Sequence, residues 1–218
     1  MKNAVNEWME KAVVVGLTGR SGVGKSTVAK QLRAAGFPVL DADAAAAAVM
    51  QEYPACVREL ADAFGGDILD EQGNLLRRKL ADRAFATPQG QRTLTGITHP
   101  YIIRSLLDKI TAEAKNGAQL VFVDGAVIVG EAFEKYCDKI MVVDSPEELQ
   151  IARLCVRDGI TAEQAARRIR AQLSRERLNA AADVIILNDS TAQVLCERTA
   201  CALEELLQNI DRLERRDT

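Results

Sequence analysis

Residues near the N-terminus have the types and spacing of a phosphate-binding loop. From Gly19 to Ser26 the chain reads Gly-Arg-Ser-Gly-Val-Gly-Lys-Ser, a glycine followed after four residues by Gly-Lys-Ser. The apolar run Val13–Leu17 precedes the loop, as expected of a buried strand, and helix-forming residues 28–33 follow it. A strand, a glycine loop and a helix in this order predict a site for a nucleoside triphosphate.

Each residue type in the loop suits phosphate chemistry. The glycines let backbone N–H groups approach phosphate oxygens without interference from a Cβ atom. Lys25 supplies a mobile positive charge for the outer phosphates, and the Ser26 hydroxyl can ligate the Mg²⁺ that accompanies the nucleotide. The alternative is a glycine-rich turn that binds nothing. The predicted nucleotide-binding residues are Gly19, Ser21, Gly22, Val23, Gly24, Lys25, Ser26 and Thr27.

Five short apolar runs predict the strands that position this loop. They are Val13–Leu17, Pro38–Leu40, Leu120–Val123, Ile140–Val143 and Val184–Leu187. Runs of this kind suit strands covered on both faces, and helical segments separate them, so we expect a three-layer α/β fold with a parallel five-stranded sheet. Ligands collect at the carboxyl ends of such strands, where Asp41, Asp43 and Asp124 fall.

Nearly eighty residues separate the second run from the third, far too many for one crossover. They contain three segments with helical spacing of apolar residues, Tyr53–Phe64, Arg77–Phe85 and Ile102–Ala114. We interpret residues 44–117 as a helical insertion that covers the strand ends and binds a second substrate. A purely structural insertion is the alternative.

Residues 147–180 predict a helical lid. The first helix carries Arg153 and Arg157 on one face, because they are four residues apart. After Asp158-Gly159, Thr161 opens a second helix with a capping pattern. An arginine-rich hairpin can close over phosphates and exclude water, whereas exposed helical arginines are otherwise a solvated face. The arginines assigned to the second helix are Arg167, Arg168, Arg170 and Arg175.

The remaining segments, 11–43, 118–146 and 181–214, form the predicted nucleotide-binding core. The last of them contains an amphipathic helix, Thr191–Leu213, which we expect to pack against the sheet.

Composition argues against several other classes of protein. A net charge of −3 and a pI near 5.4 disfavour a nucleic-acid binder. No segment approaches the roughly 20 apolar residues of a membrane span, and Met1–Lys11 lacks the apolar core of a signal peptide. We expect that segment to be a short helical or frayed extension. Five scattered cysteines and one histidine suggest neither a zinc site nor a disulfide framework. Idle thiols suit a reducing cytosol, so we expect a cytoplasmic protein. We also expect a monomer or a small homo-oligomer.

The motifs, taken in order, resemble those of the dephospho-CoA kinases. The loop and the following Val39-Leu40-Asp41-Ala42-Asp43 resemble the opening of that family, and the resemblance continues to about Glu205. Further segments that resemble family elements are Gly73–Leu80, Ile97–Pro100, Arg153–Gly159, Arg168–Gln172 and Ala182–Asn188. The resemblance implies ATP-dependent, Mg²⁺-assisted phosphorylation of the ribose 3′-hydroxyl of dephospho-CoA, the last step of coenzyme A biosynthesis. It also implies a P-loop kinase core, a helical CoA-side domain and a lid.

The resemblance also distributes roles among residues. It implies that Lys25, Asp43 and Arg157 are catalytic, and that Arg153 and Arg157 contact the nucleotide phosphates. It further implies that Asp43, Arg77 and His99 contact the acceptor. The implied Mg²⁺ ligands are Ser26 and Asp124. Three of these residues have structural alternatives. Asp43 is a candidate helix N-cap before Ala44–Ala48, Asp124 a turn residue, and His99 a residue that fixes a loop before Pro100.

Three positions depart from the family pattern. Ala47 stands where an arginine is usual, and Ala126 and Gly130 stand where a proline and a glutamate are usual. Because these changes fall on the acceptor side, two alternatives stay open. One is a P-loop kinase for another small alcohol or nucleoside, and the other is a non-catalytic ATP-binding sensor. A GTPase is disfavoured, because no Asn-Lys-x-Asp segment occurs.

Overall fold

A parallel sheet carries the glycine loop. The computed structural model describes residues 12–125 and 128–214; the predicted extension Met1–Lys11 and the departure at Ala126 lie outside them. Strand order is β2-β3-β1-β4-β5, with β1 parallel to β3 and β4, and β4 parallel to β5. The predicted five-stranded parallel α/β fold is therefore confirmed. The strands are β1 (Val13–Thr18), β2 (Val39–Asp41), β3 (Leu120–Asp124), β4 (Lys139–Asp144) and β5 (Val184–Leu187).

Nine α-helices occur in the described part of the chain. None of them is long and apolar enough to cross a membrane. They are α1 (Lys25–Ala34), α2 (Ala42–Glu52), α3 (Pro54–Phe64), α4 (Arg77–Ala84), α5 (Pro88–Lys115), α6 (Glu147–Asp158), α7 (Ala162–Arg170), α8 (Arg175–Ala181) and α9 (Ala192–Glu214).

Helix α5 corrects one prediction, because it begins fourteen residues before Ile102 and encloses Pro100. Its start has a local cause. The Thr87 side chain accepts a hydrogen bond from the Gly90 N–H at 3.0 Å, and Pro88 follows at the first helical position, where its fixed φ is favourable. His99 lies inside this helix, so the interpretation of His99 as a residue that fixes a loop is wrong.

The contacts divide the described chain into two compact units. The first contains the residues up to Leu40 and from Ile110 onward, and the second is Asp41–Lys109. In the second unit, buried side chains from α2, α3, the 3₁₀ turn Gly66–Ile68 and α4 form one core, namely Val49, Cys56, Leu60, Ala61, Ile68 and Leu80.

One core cluster of the first unit lies between the sheet and helices α1 and α9. Phe122 of β3 is fully buried there and meets Phe37 edge-on, with ring centroids 5.9 Å apart. Leu195 and Leu206 of α9 are buried in the same cluster. The amphipathic last helix predicted from the sequence thus packs on the sheet, as expected.

Helices α6 and α7 form the predicted hairpin, and Leu154, Ala165 and Ile169 pack between them. The capping box at Thr161 is present: Gln164 N–H donates to the Thr161 hydroxyl, and the Gln164 side chain accepts from Thr161 N–H. One assignment is wrong, because α7 ends at Arg170 and Arg175 begins a separate helix, α8, which Ser174 caps.

Phe122→Ala should remove the largest fully buried side chain of this core. We expect a loss of about 3–5 kcal/mol in the free energy of unfolding, because the transfer and cavity terms add. Urea titration followed by circular dichroism measures the loss. Val156→Ala is the control, since Val156 is 89% exposed. A loss below about 1 kcal/mol in Phe122→Ala would contradict the packing described here.

Candidate active site

The glycine loop connects β1 to α1 and has a backbone that other residues adopt with difficulty. Gly22 and Gly24 have φ angles of 83° and 98°. A Cβ at Gly22 would lie 2.7 Å from the Gln150 carbonyl oxygen, and one at Gly24 would lie 2.3 Å from Asn188 Nδ2. Both positions therefore need glycine for conformational and steric reasons. Because α1 begins at Lys25, its first N–H groups have no partner within the helix, which suits an anion.

Lys25 and Asp124 form an ion pair beside this loop. Residue Asp124 is the last of β3, and the parallel register sets it opposite Leu17 of β1. The Lys25 ammonium donates to its carboxylate, and both side chains are largely shielded, at 19% and 12% exposure. Two residues chosen from distant parts of the sequence thus meet at the carboxyl end of the sheet.

Residues Asp124 and Ser26 offer the oxygen donors that a nucleotide-bound Mg²⁺ needs. Ser26 lies exposed in the first turn of α1, and Asp124 supplies one carboxylate. Within residues 12–125 and 128–214, no group of three or more His, Cys, Asp or Glu side chains could hold a metal alone. Mg²⁺ keeps several waters and usually takes one or two carboxylates together with substrate phosphates. This donor set fits a metal that arrives with the triphosphate.

Arg153 does not project freely from α6, because its guanidinium donates hydrogen bonds to the glycine loop and to its neighbours. Nη1 donates to the Gly22 carbonyl at 3.2 Å and to Ser145 Oγ at 3.0 Å, and Nη2 donates to the Asn188 carbonyl at 3.2 Å. Asn188 Nδ2 in turn donates to the Val23 carbonyl at 2.7 Å. In this structure Arg153 therefore supports the loop backbone.

Several residues that support the loop are not among the site residues predicted from the sequence. Asn188 follows β5 at the sheet edge, a position that signals a site residue in this kind of fold. Gln172 Oε1 accepts from Ser21 N–H at 2.8 Å, and the buried Gln150 donates to the Ser145 carbonyl at 2.6 Å. Neither glutamine has a local sequence signal, because its partner is set by the tertiary fold.

Three other arginines of α6–α8 have carboxylate partners. Arg157 donates through Nε and Nη2 to Asp158 at 2.7 and 2.9 Å, and Arg168 donates to the same carboxylate at 2.9 Å. Hydrogen bonding from Arg157, with the charges of both arginines, holds the pKa of Asp158 below its usual range. Arg175 binds Asp144, which is almost fully buried at the end of β4.

The predicted acceptor residues all lie in the second unit. Asp41 is the N-cap of α2 and accepts from Ala44 N–H at 2.9 Å, so the interpretation of Asp43 as the cap is wrong. Asp43 is the second residue of α2 and is exposed. Arg77 is the first residue of α4, and its Nη2 donates to the Ala47 carbonyl at 3.2 Å. His99 is half-buried in α5.

The backbone conformation at Gly130 explains why glycine replaces the glutamate that is usual in the family. Its φ of 83° is unfavourable for glutamate, and its N–H donates to the Glu134 carboxylate at 2.7 Å. Glu131, the next acidic residue, is exposed.

Similarity to known proteins agrees with this geometry. The dephospho-CoA kinase family model matches residues 13–193. A dephospho-CoA kinase of Corynebacterium jeikeium is 38% identical over 187 residues, which cover 85% of this chain and 95% of that protein. The crystal structure of TT1252 from Thermus thermophilus is 30% identical with a TM-score of 0.73, covering 91% of this chain and 97% of that one. A dephospho-CoA kinase structure from Campylobacter jejuni, 24% identical, shares the fold with a TM-score of 0.61 over 89% and 97% of the two chains.

Three features define a P-loop kinase: the parallel sheet, the Lys25–Asp124 pair, and a glycine loop whose carbonyls are bound by Arg153 and Asn188. Within that class, the chain belongs to the dephospho-CoA kinase family. The family predicted from the sequence is thereby confirmed.

Arg153→Ala should weaken ATP binding, because the Gly22 and Asn188 carbonyls lose their donors and the loop loses its shape. We expect the Kd for ATP, measured by calorimetry without acceptor, to rise about tenfold. Arg153→Lys should recover only part of this, since an ammonium cannot reproduce the guanidinium fork. Arg170→Ala, on the exposed side of α7, is the control. An unchanged Kd with a large fall in kcat would instead place Arg153 on the transferring phosphoryl group.

Proposed function

We propose that this chain transfers the γ-phosphoryl group of ATP to the ribose 3′-hydroxyl of dephospho-CoA, giving CoA and ADP. The observation that carries the proposal is a glycine loop held by hydrogen bonds from Arg153 and Asn188, with the Lys25–Asp124 pair beside it at the strand ends. This site occurs in a chain of the dephospho-CoA kinase family. Phosphoryl transfer needs mainly alignment and charge neutralisation, and this loop supplies both.

On the donor side, loop N–H groups and the Lys25 ammonium hold the β- and γ-phosphates. Asp124 and Ser26 would hold Mg²⁺, which supplies charge neutralisation at the phosphate oxygens when it is bound. Because Asp124 also pairs with Lys25, the carboxylate orients the ammonium before nucleotide enters. Arg153 acts as a positioning residue for the loop.

On the acceptor side, Asp43 accepts the proton of the 3′-hydroxyl. The hydroxyl oxygen forms a bond to the γ-phosphorus, and the bond to the bridging oxygen of ADP breaks. The exposed Asp43 carboxylate on the first turn of α2 is free of the capping role, which Asp41 fills. We assign acceptor binding to residues 41–109, with Arg77 and His99 as contacts, and a closing lid to residues 147–180. Within that lid Arg157 is the arginine proposed to meet the transferring group.

A coupled ADP-release assay with ATP, Mg²⁺ and dephospho-CoA tests the proposal. Wild-type protein should release ADP only with acceptor, and Lys25→Ala should lower kcat by about 10²-fold or more, because it removes charge stabilisation at the phosphoryl group. Turnover of another alcohol but not of dephospho-CoA would make the chain a different small-molecule kinase. ATP binding with no product from any acceptor would make it a sensor.

Asp43→Asn should separate proton acceptance from nucleotide binding. We expect kcat to fall roughly 10²–10⁴-fold, as for loss of a general base, while the calorimetric Kd for ATP stays unchanged. Asp62→Asn, a change at an exposed aspartate of α3, is the matched control. Full activity in Asp43→Asn would remove Asp43 from the mechanism.

A further inference from the structure

One N–H group of the glycine loop is bound by a side chain from a distant segment. Gln172 Oε1 accepts from Ser21 N–H at 2.8 Å, although the two residues are 151 positions apart. A backbone N–H carries a single hydrogen to donate. A phosphate oxygen can therefore bind this donor only if Gln172 gives it up.

Gln172 lies in the short connection between two separately packed parts of the first unit. Ile169 is buried in the core of the α6–α7 hairpin. Leu173 packs instead against a different cluster, which contains Leu178 of α8. Gln172 is half-buried and is a member of neither apolar cluster. Its side chain can therefore leave the loop without opening either core.

The loop residues on both sides of Ser21 have other partners. The Arg20 side chain is only 10% exposed, and its Nη1 lies 3.8 Å from a carboxylate oxygen of Glu147, the first residue of α6. The Gly22 carbonyl accepts from Arg153. Because these contacts flank Ser21, the loop keeps its place when the Ser21 N–H changes its acceptor.

The exchange replaces a neutral acceptor with a charged one. Hydrogen bonds to ionised oxygens are shorter and roughly twice as strong as bonds between neutral groups. A triphosphate oxygen should therefore displace the Gln172 carbonyl oxygen from the Ser21 N–H. The bond that is lost still opposes binding, by about the net strength of one neutral hydrogen bond.

We propose that Gln172 is a displaceable partner of the phosphate-binding loop. Its side chain holds the Ser21 N–H until a phosphate oxygen of the nucleotide takes its place, so Gln172 lowers the affinity of the loop for ATP. Arg153 has the opposite effect, because it binds loop carbonyls that phosphate does not use. The inference rests on the function proposed above, because it takes ATP as the ligand of this loop.

Removing the competing acceptor tests the inference. The Kd for ATP with Mg²⁺, measured by calorimetry without acceptor, should fall about fivefold in Gln172→Ala. Gln172→Asn, whose amide is one methylene shorter, should change the Kd in the same direction. Gln172→Glu keeps an acceptor but adds a negative charge, so its Kd should rise tenfold or more. Gln91→Ala, at an exposed glutamine of α5 in the second unit, is the matched control.

Two further measurements locate the effect. Tripolyphosphate has the phosphates of ATP but no nucleoside, and its Kd should fall in Gln172→Ala as the Kd for ATP does. Amide hydrogen exchange, followed by NMR without nucleotide, should be faster at Ser21 in Gln172→Ala than in wild-type protein.

The sign of the change decides the outcome. A higher or unchanged Kd for ATP in folded Gln172→Ala and Gln172→Asn proteins would overturn the inference, because Gln172 would then not compete with the nucleotide. A lower Kd for ATP with an unchanged Kd for tripolyphosphate, or unchanged exchange at Ser21, would also overturn it.

These outcomes are distinguishable from failure of the proposed function. If wild-type protein phosphorylates dephospho-CoA, the kinase assignment stands whatever the Gln172 variants show. If wild-type protein binds ATP but does not phosphorylate dephospho-CoA, the proposed function fails and the Kd comparison still decides the role of Gln172. If wild-type protein does not bind ATP, both proposals fail.

Discussion

A loop that binds phosphate through its N–H groups must turn carbonyl groups the other way, and those carbonyls need donors. In this protein the Gly22 and Val23 carbonyls accept from Arg153 and Asn188, which come from α6 and the end of β5. A buried backbone carbonyl without a partner costs about as much as a lost hydrogen bond. The requirement therefore ties two distant segments to the loop, and it explains why Gly22 and Gly24 lie too close to α6 and Asn188 to carry a side chain.

The sequence was sufficient to predict the strands, the glycine loop and the family, because those features are local or occur in a characteristic order. It was not sufficient for Arg153. A spacing of four residues correctly places Arg153 and Arg157 on one helix face, but it does not show what each guanidinium reaches, and Gly22 is 131 residues away. The start of α5 could have been predicted. Thr87-Pro88 is a recognisable start signal, whereas the predicted helix began only at Ile102.

The departure at Ala47 changes where positive charge lies on the acceptor side. Helix α2 carries no arginine, yet the Arg77 guanidinium of α4 donates to the Ala47 carbonyl. Arg77, the acceptor contact proposed above, therefore supplies a positive charge beside position 47, so the missing arginine does not by itself favour a non-catalytic sensor.

The partners of the arginines in α6–α8 indicate which of them is available to a phosphate. Arg175 pairs with Asp144, whose side chain is only 6% exposed, and separating that pair would leave a buried charge at high cost. Arg157 is different, because its side chain is 58% exposed and its partner Asp158 also binds Arg168. Exposed pairs contribute about 0–1 kcal/mol, and Asp158 would keep Arg168 if Arg157 left. Moving Arg157 to a phosphate therefore costs little, whereas moving Arg153 would remove donors from the loop that binds the same phosphate. This difference in cost is the physical reason for proposing that Arg157, and not Arg153, meets the transferring group.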